Sequence, residues 1–556
     1  MRKAARRIAV IQNKKSFIFA VALAAILALV VPVAAGAEEI LPGPVTVLPD
    51  YIGAPAKAHP LANSGVPQNP NYAPNGFIHG HSDTWMTDTA NLAGPLGRNP
   101  VTLSTDLAAA RKLPVDSWLI SGGSVMFDRH GRVIIIAYGL NEASAVLLDP
   151  ETLEVLTHYP LQVPAGGLIG LGAQKFPRSL WAIYGFLGNR DMLHVVSESK
   201  KILTLEIVDT PSGPEFEPLE NGSYDLTELV MGDPDDPSDD DRISGVMMDF
   251  QGRYWINMGS SANIYILNPA TYHGVKDLKS IYLDYDGDGG EFTQNGLVLT
   301  KEGAAYIVTT KAMYRVDAGA DDQPYIVWTE KYDNSYADNH DPKVKPGQLE
   351  LGSGTTPTIL GEGKYVAITD NAEQMHVVVF RTEKKLDPGE VQKVCEVEVF
   401  KDYGGRGANS NSLIGFRNSI VVQNTYEYLF NWDTGFLETP GKPGIERIDI
   451  DPNGRGCTKV WANKEVITNQ CPRLSTRTGL IYTQDRKYDA EKDVYAVYWV
   501  ALDFRTGKVV WEQLAGTWKK GTEARFDNFW TAIGIGPNGA LYVPGYGGVM
   551  MIKDSY

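Results

Sequence analysis

Val125-Met-Phe-Asp128-Arg-His-Gly131-Arg-Val-Ile-Ile-Ile-Ala137, followed by Ala145-Val-Leu-Leu-Asp149-Pro-Glu-Thr-Leu-Glu-Val155, holds the plan of the whole chain. A short apolar strand runs into a turn with Asp and Gly, an aliphatic strand returns, and a third strand ends in an Asp-containing turn. Gly245-Val-Met-Met-Asp249-Phe-Gln-Gly252-Arg-Tyr-Trp-Ile-Asn257 with Ile264-Tyr-Ile-Leu-Asn-Pro269 repeats the plan. Further copies start near Gly296, Thr356, Ser412, Ser475 and Ala532, and a weaker one surrounds Leu187-Gly-Asn189.

Successive turns fall roughly 50–65 residues apart, the period of a four-stranded propeller blade with generous loops. The fold class is therefore all-β, a β-propeller of about eight four-stranded blades, with seven blades plus an irregular segment as the alternative count. Sustained helical periodicity, which a βαβ fold needs, is almost absent. The last copy stops at Val549-Met-Met-Ile-Lys553, too close to the C-terminus for a fourth strand. A strand near Val101–Leu107 is expected to complete that blade and so pair edges that would otherwise template aggregation.

The 556 residues carry a net charge of −16, and 43% of them are hydrophobic, enough apolar material for a large core. The acidic balance argues against nucleic-acid partners and against docking to anionic lipid. Lys3, Arg6, Arg7, Lys14 and Lys15 precede the apolar run Phe17–Val33, and Ala35-Gly36-Ala37 offers a cleavage pattern. Residues 1–37 thus read as a signal peptide, 38–99 as an extended Pro- and Asn-rich arm across the surface, and 100–556 as the propeller. The expected location is the periplasm or the exterior, with no stable membrane span after cleavage. In that compartment Cys457 and Cys471, which flank a short segment, are candidates for a local disulfide, and Cys395 reads as a buried free thiol.

At Ala501-Leu-Asp503-Phe-Arg-Thr506-Gly507-Lys-Val-Val-Trp511 the chain resembles the tryptophan-docking repeat of pyrroloquinoline-quinone-type propellers. That resemblance implies an Asp-x-x-Thr-Gly turn between outer strands and a Trp packed between blades, with partial echoes at Asp149 and Asp433. Quinone dehydrogenases of this type set adjacent cysteines against the cofactor, and this chain has no Cys-Cys pair, so the resemblance implies the scaffold without the quinone. Asn295-Gly296-Leu297 is similar to the blade starts of gluconolactonase- and paraoxonase-type propellers, where the Asn amide oxygen ligates a tunnel metal. Ile243-Ser244 stands where those families use Asn-Asp, a departure from their metal site.

Asp284, Asp286 and Asp288 alternate before glycines and Glu291, the pattern of a calcium loop built from oxygen ligands in one turn. The acidic run Asp233–Asp241 reads as a solvated loop. His79, His81 and Asp83 alternate, so an extended backbone would place them on one face, a cluster anchoring the arm or an incomplete zinc set. Polar clusters fall where inner strands should meet the tunnel mouth: Asn409 with Asn411, Thr355, and Arg525, Asp527 and Trp530, the first two of these last three as a charged pair beside an aromatic wall. With Asn295 they form the expected ligand-binding set. Gly534-Ile-Gly536-Pro-Asn-Gly539 has the dinucleotide glycine spacing, but it lies between strands with no following helix and reads as a hairpin turn.

These signals point to an exported, quinoprotein-like propeller that binds a small ligand or an exported protein partner at its tunnel face. A calcium-dependent lactonase or related hydrolase, with groups such as Asn295 and Asn411 on a tunnel metal, is the alternative. A quinone-dependent dehydrogenase is the third reading.

Overall fold

The computed structural model describes residues 48–555, apart from 75–76, 107–119, 139–142, 163–167, 172–173, 178–184, 198–200, 230–242, 260, 402–406 and 433. The leader, the acidic run at 233–241 and Asp433 lie outside the described residues. Eight sheets follow one another along the chain, each an antiparallel meander that starts at a central tunnel and runs outward. Their innermost strands are Ile120–Phe127, Phe186–Leu187, Ile243–Met248, Val298–Leu299, Thr358–Leu360, Ile414–Phe416, Arg473–Ser475 and Gly534–Ile535, and they define blades 1 to 8. All eight turns read from the sequence are the hairpins between an innermost strand and its neighbour.

The repeated Asp and Gly build those hairpins directly. In blade 1 the Asp128 carboxylate accepts the N–H groups of His130 (2.9 Å) and Arg132 (2.8 Å), and Gly131 takes φ +77°. In blade 3 Asp249 does the same with Gln251 and Arg253, both at 2.9 Å, and Gly252 takes φ +82°. A side-chain acceptor for the turn amides plus a residue free to adopt positive φ makes each turn self-contained.

The second strands, such as Val133–Tyr138, Ala304–Val308 and Ser419–Gln423, are buried along their whole length. Each blade is covered by neighbours on both faces, so these strands read as continuous apolar runs and not as alternating ones. Outermost strands such as Val155–Leu161 and Lys393–Glu398 are half exposed. The Asp503 turn is built as the repeat resemblance implies, its carboxylate accepting Arg505 N–H (3.0 Å), Thr506 N–H (2.9 Å) and Thr506 Oγ1–H (3.0 Å). Trp511 is fully buried in the apolar cluster shared by blades 7 and 8. The Asp149 turn copies this geometry, with Leu153 at φ +60° where the other has Gly507 at +69°.

Closure occurs as the sequence implies. Pro100–Asp106 pairs antiparallel with Gly548–Asp554 and supplies the outer strand of blade 8, with Leu103 opposite Met551. The Asp554 carboxylate then accepts the N–H groups of Leu96 (2.8 Å), Gly97 (3.0 Å) and Arg98 (2.9 Å), which locks the arm to the seam.

The arm itself departs from the surface path expected of it. Tyr51–Gly53 adds an outer strand to blade 7, but Phe77–Ala90 is almost wholly buried and runs along the tunnel. There its carbonyls serve three consecutive blades. Trp85 O accepts Ile359 N–H (3.0 Å), Thr87 O accepts Gly415 N–H (2.9 Å), and Asp88 O accepts Leu474 N–H (3.0 Å). Innermost strands present an unpaired edge to the tunnel, and a buried amide without an acceptor is costly, so the arm is drawn inward by backbone chemistry. Its sequence has no apolar period because it is held mainly by carbonyls.

The disulfide joins Cys395 to Cys457, with Cα atoms 5.9 Å apart, not Cys457 to Cys471. Proximity in sequence misleads here because a blade is radial. Cys457 begins the outermost strand of blade 6 beside the outermost strand of blade 5, whereas Cys471 is a buried free thiol at the tunnel. The bond closes a loop of 62 residues, for which the chain-entropy relation gives about 4 kcal/mol. Replacing both cysteines (Cys395→Ser with Cys457→Ser) should lower unfolding stability in urea by up to that amount, while Cys471→Ala leaves the response to reductant unchanged.

Candidate functional site

Every blade sends at least one residue to a central cavity. Ser124, Gly185, Gly245 and Gly296 come from blades 1 to 4, and Thr356, Asn411, Cys471 and Ala532 from blades 5 to 8. The arm adds His79, Gly80, His81 and Met86 to the lining. About 930 Å³ of space lies between these residues, open solvent included.

Part of the lining is aromatic. Blade 6 carries an inserted hairpin, Tyr428–Asn431 with Phe436–Pro440, which packs against the loop before blade 8. Phe430 and Phe529 meet edge to face at 4.2 Å, Trp432 lies 4.9 Å from Phe529, and Tyr428 4.8 Å from Trp530. Trp432, Phe529 and Trp530 all line the cavity.

The main polar group on the wall is Glu350. Burial pushes its carboxyl up to about 8, against hydrogen bonds from Ser410 Oγ (2.8 Å) and Leu349 N–H (3.2 Å). At neutral pH it is a neutral acid in an apolar surround, able to donate as well as accept. Ser410 also lines the cavity and accepts Leu349 N–H at 2.8 Å. Neither Glu350 nor the hairpin carries a sequence signal: the first is one acid in a polar loop, and the second is an insertion into the repeat.

The residues singled out in the sequence divide between the wall and the layer behind it. Asn411 and Trp530 face the cavity, and Asn411 is held by Nδ2–H donation to Asn469 O at 2.6 Å. Asn409 lies behind, its Oδ1 accepting Asn411 N–H at 2.9 Å. Thr355 is fully buried against Ser353 Oγ (3.0 Å) and Thr369 N–H (3.0 Å), and Asn295 donates to Ser353 O at 2.8 Å. These three set the geometry of the wall.

Arg525 and Asp527 do not pair with each other. Arg525 is exposed and binds Glu523 at 3.1 Å, whereas Asp527, fully buried, takes Arg486 Nε–H (2.9 Å) and Tyr428 O–H (3.0 Å). A carboxylate without solvent needs a cation fixed in the same buried layer, and Arg486 on blade 7 supplies it. His79, His81 and Asp83 also fail to share a face, because Ile78–Ser82 is a turn with Ser82 at φ +68°. His81 reaches Ser412 Oγ at 3.2 Å and so anchors the arm, while Asp83 accepts Trp85 N–H at 3.0 Å.

In the acidic loop, ligand atoms of Asp284, Asp286 and Glu291 converge within 4.8 Å of one another. Glu291 is buried and bound by Tyr314 O–H at 2.9 Å, and Lys311 Nζ bridges Asp286 (2.8 Å) and Asp288. None of the four carboxylates lines the central cavity.

No protein-family model matches the chain. An uncharacterized protein of Archaeoglobus fulgidus is 26% identical over 275 residues, which are 45% of this chain and 50% of that protein, so the match spans half of the relative's length. Among solved structures the chain is similar to BamB from Moraxella catarrhalis, with 12% identity, a TM-score of 0.39 and coverage of 82% of this chain and 97% of that one. A streptogramin B lyase gives 11%, 0.35, 85% and 99% in the same order. A putative 6-phosphogluconolactonase from Bacteroides fragilis gives 11%, 0.36, 72% and 98%. These neighbours are β-propellers of varied function.

Between about pH 4.5 and 8 the folded chain retains a proton on Glu350 that the unfolded chain has lost, so this group makes stability fall as pH rises. Glu350→Gln should flatten that slope by up to about 1.4 kcal/mol per pH unit, read from urea unfolding at a series of pH values. Lys311→Gln removes the ammonium held by Asp286 and Asp288, and should make the melting temperature rise more with added calcium than in the wild type.

Proposed function

We propose that the chain is an exported β-propeller that binds a small organic molecule in its central cavity, without quinone chemistry. The observation that carries this reading is the central cavity, to which all eight blades and the arm contribute and which Trp432, Phe529 and Trp530 help to line. The aromatic side chains and the apolar walls at Met86, Tyr138 and Met247 suit an apolar or aromatic body. Glu350 and Ser410 suit a polar group such as a carbonyl oxygen, which a neutral carboxyl can meet with a hydrogen bond.

Export is supported by the leader sequence and by the Cys395–Cys457 bond, which belongs in an oxidising compartment. Among the described residues no helix is long and apolar enough to cross a membrane.

The mature chain screened by thermal shift against a library of neutral aromatic and carbonyl compounds should yield ligands that calorimetry confirms at one per chain. Met247→Trp, which fills the cavity, should abolish their binding, and Glu350→Gln should weaken it about ten-fold, the equivalent of one hydrogen bond. Ligands that bind both variants as tightly as the wild type, or a library with none, would overturn the tunnel assignment.

A further inference from the structure

We propose that His81, Asp88 and Cys471 form a binding site for a divalent transition-metal ion of the zinc type where the arm lines the central cavity. The three come from distant parts of the chain: two from the arm, and one from the start of blade 7. One ligand atom from each lies within 4.8 Å of the others, a spacing that lets them meet one ion after small side-chain adjustments. Imidazole, carboxylate and thiolate together are a donor set that zinc accepts and that calcium or magnesium does not.

A second observation points the same way. Asp88 is fully buried, yet its Oδ2 has no hydrogen-bond partner, and the buried Nδ1 of His81 has none either. Buried polar atoms are rarely left so, and both belong to the cluster. The Nδ1 atom lies 3.4 Å from Asp88 Oδ1.

The surroundings already orient each ligand. His81 Nε2 is taken up by Ser412 Oγ at 3.2 Å, which leaves Nδ1 for the metal. Asp88 Oδ1 is held by the Arg473 guanidinium, which leaves Oδ2. Cys471 is fixed through its backbone, its N–H donating to Thr531 O at 3.1 Å. Supporting hydrogen bonds of this kind set the tautomer and angle of metal ligands.

Binding displaces the thiol proton of Cys471 to solvent and forms a metal–sulfur bond. With Arg473 beside Asp88, one carboxylate and one thiolate leave the occupied site with a net charge of about +1, which an anionic fourth ligand such as hydroxide would offset. His81 and Cys471 both line the cavity, so a fourth coordination position faces a bound molecule. Three protein ligands with one open position is the arrangement of a catalytic rather than a structural zinc centre.

The test needs no organic ligand and is therefore independent of the small-molecule reading. The mature chain, stripped with chelator, is dialysed against zinc and analysed for metal, and a second sample is titrated with cobalt(II). One zinc per chain and a thiolate-to-cobalt charge-transfer band in the near ultraviolet are expected. The chain has three cysteines and two are joined to each other, so that band can arise only from Cys471. Cys471→Ser should remove the band, and His81→Gln should weaken zinc by at least about 100-fold, more than the loss of a supporting partner brings. Absence of stoichiometric zinc, or a cobalt spectrum of octahedral oxygen ligation with no sulfur band, would overturn the site. The wild-type spectrum decides the matter even if a variant fails to fold.

Discussion

Arg473 is the group on which the rest of the tunnel depends. Its guanidinium is fully buried and donates to Ile533 O (2.8 Å), Gly80 O (2.6 Å), Ser82 Oγ (2.5 Å) and the Asp88 carboxylate, over the face of Phe77. These partners belong to blade 8 and to the arm, while Arg473 itself opens blade 7. A planar cation with five fixed donors suits such a junction, where several acceptors from different segments must be satisfied at once. Removing it would leave Asp88 as an uncompensated buried charge, so the arm, the cavity lining and the closing blades are coupled through one side chain.

That coupling explains why the arm lines the cavity at all. The innermost strands leave amides facing the tunnel, and the arm answers them with Trp85 O, Thr87 O and Asp88 O in successive blades. The arm thereby becomes part of the wall, and its side chains His81 and Met86 become part of the site. Polar groups then fall into two classes by depth. Those behind the wall, such as Asn295, Thr355 and Asp527, are saturated by neighbours and hold the blades in place. Glu350, Ser410 and Asn411 instead line the cavity itself.

Much of the fold was legible because its signals are local. Asp128 with Gly131, and Asp249 with Gly252, specify a turn within a few residues, and the aliphatic runs after them specify strands buried on both faces. Repetition of that unit gave about eight blades, and the missing fourth strand after Lys553 gave the closure by Pro100–Asp106. The candidate site was legible only in part. Asn411 and Trp530 were found from their place before inner strands, whereas Glu350, the inserted hairpin and the pairing of Asp527 with Arg486 were not.

The sequence by itself determined the repeating blade and the need for closure, because turn chemistry and strand burial act over short spans of chain, while the choice of eight blades over seven came from the structure. Only the tertiary structure decided which residues meet at the axis and at the rim. A blade runs radially, so Cys457 lies at the outer edge of blade 6 and Cys471 at the inner start of blade 7, while Cys457 finds Cys395 across a blade boundary. At the axis the reverse holds: the starts of eight blades and one stretch of arm, hundreds of residues apart, converge because closing the ring brings their inner edges into one small volume.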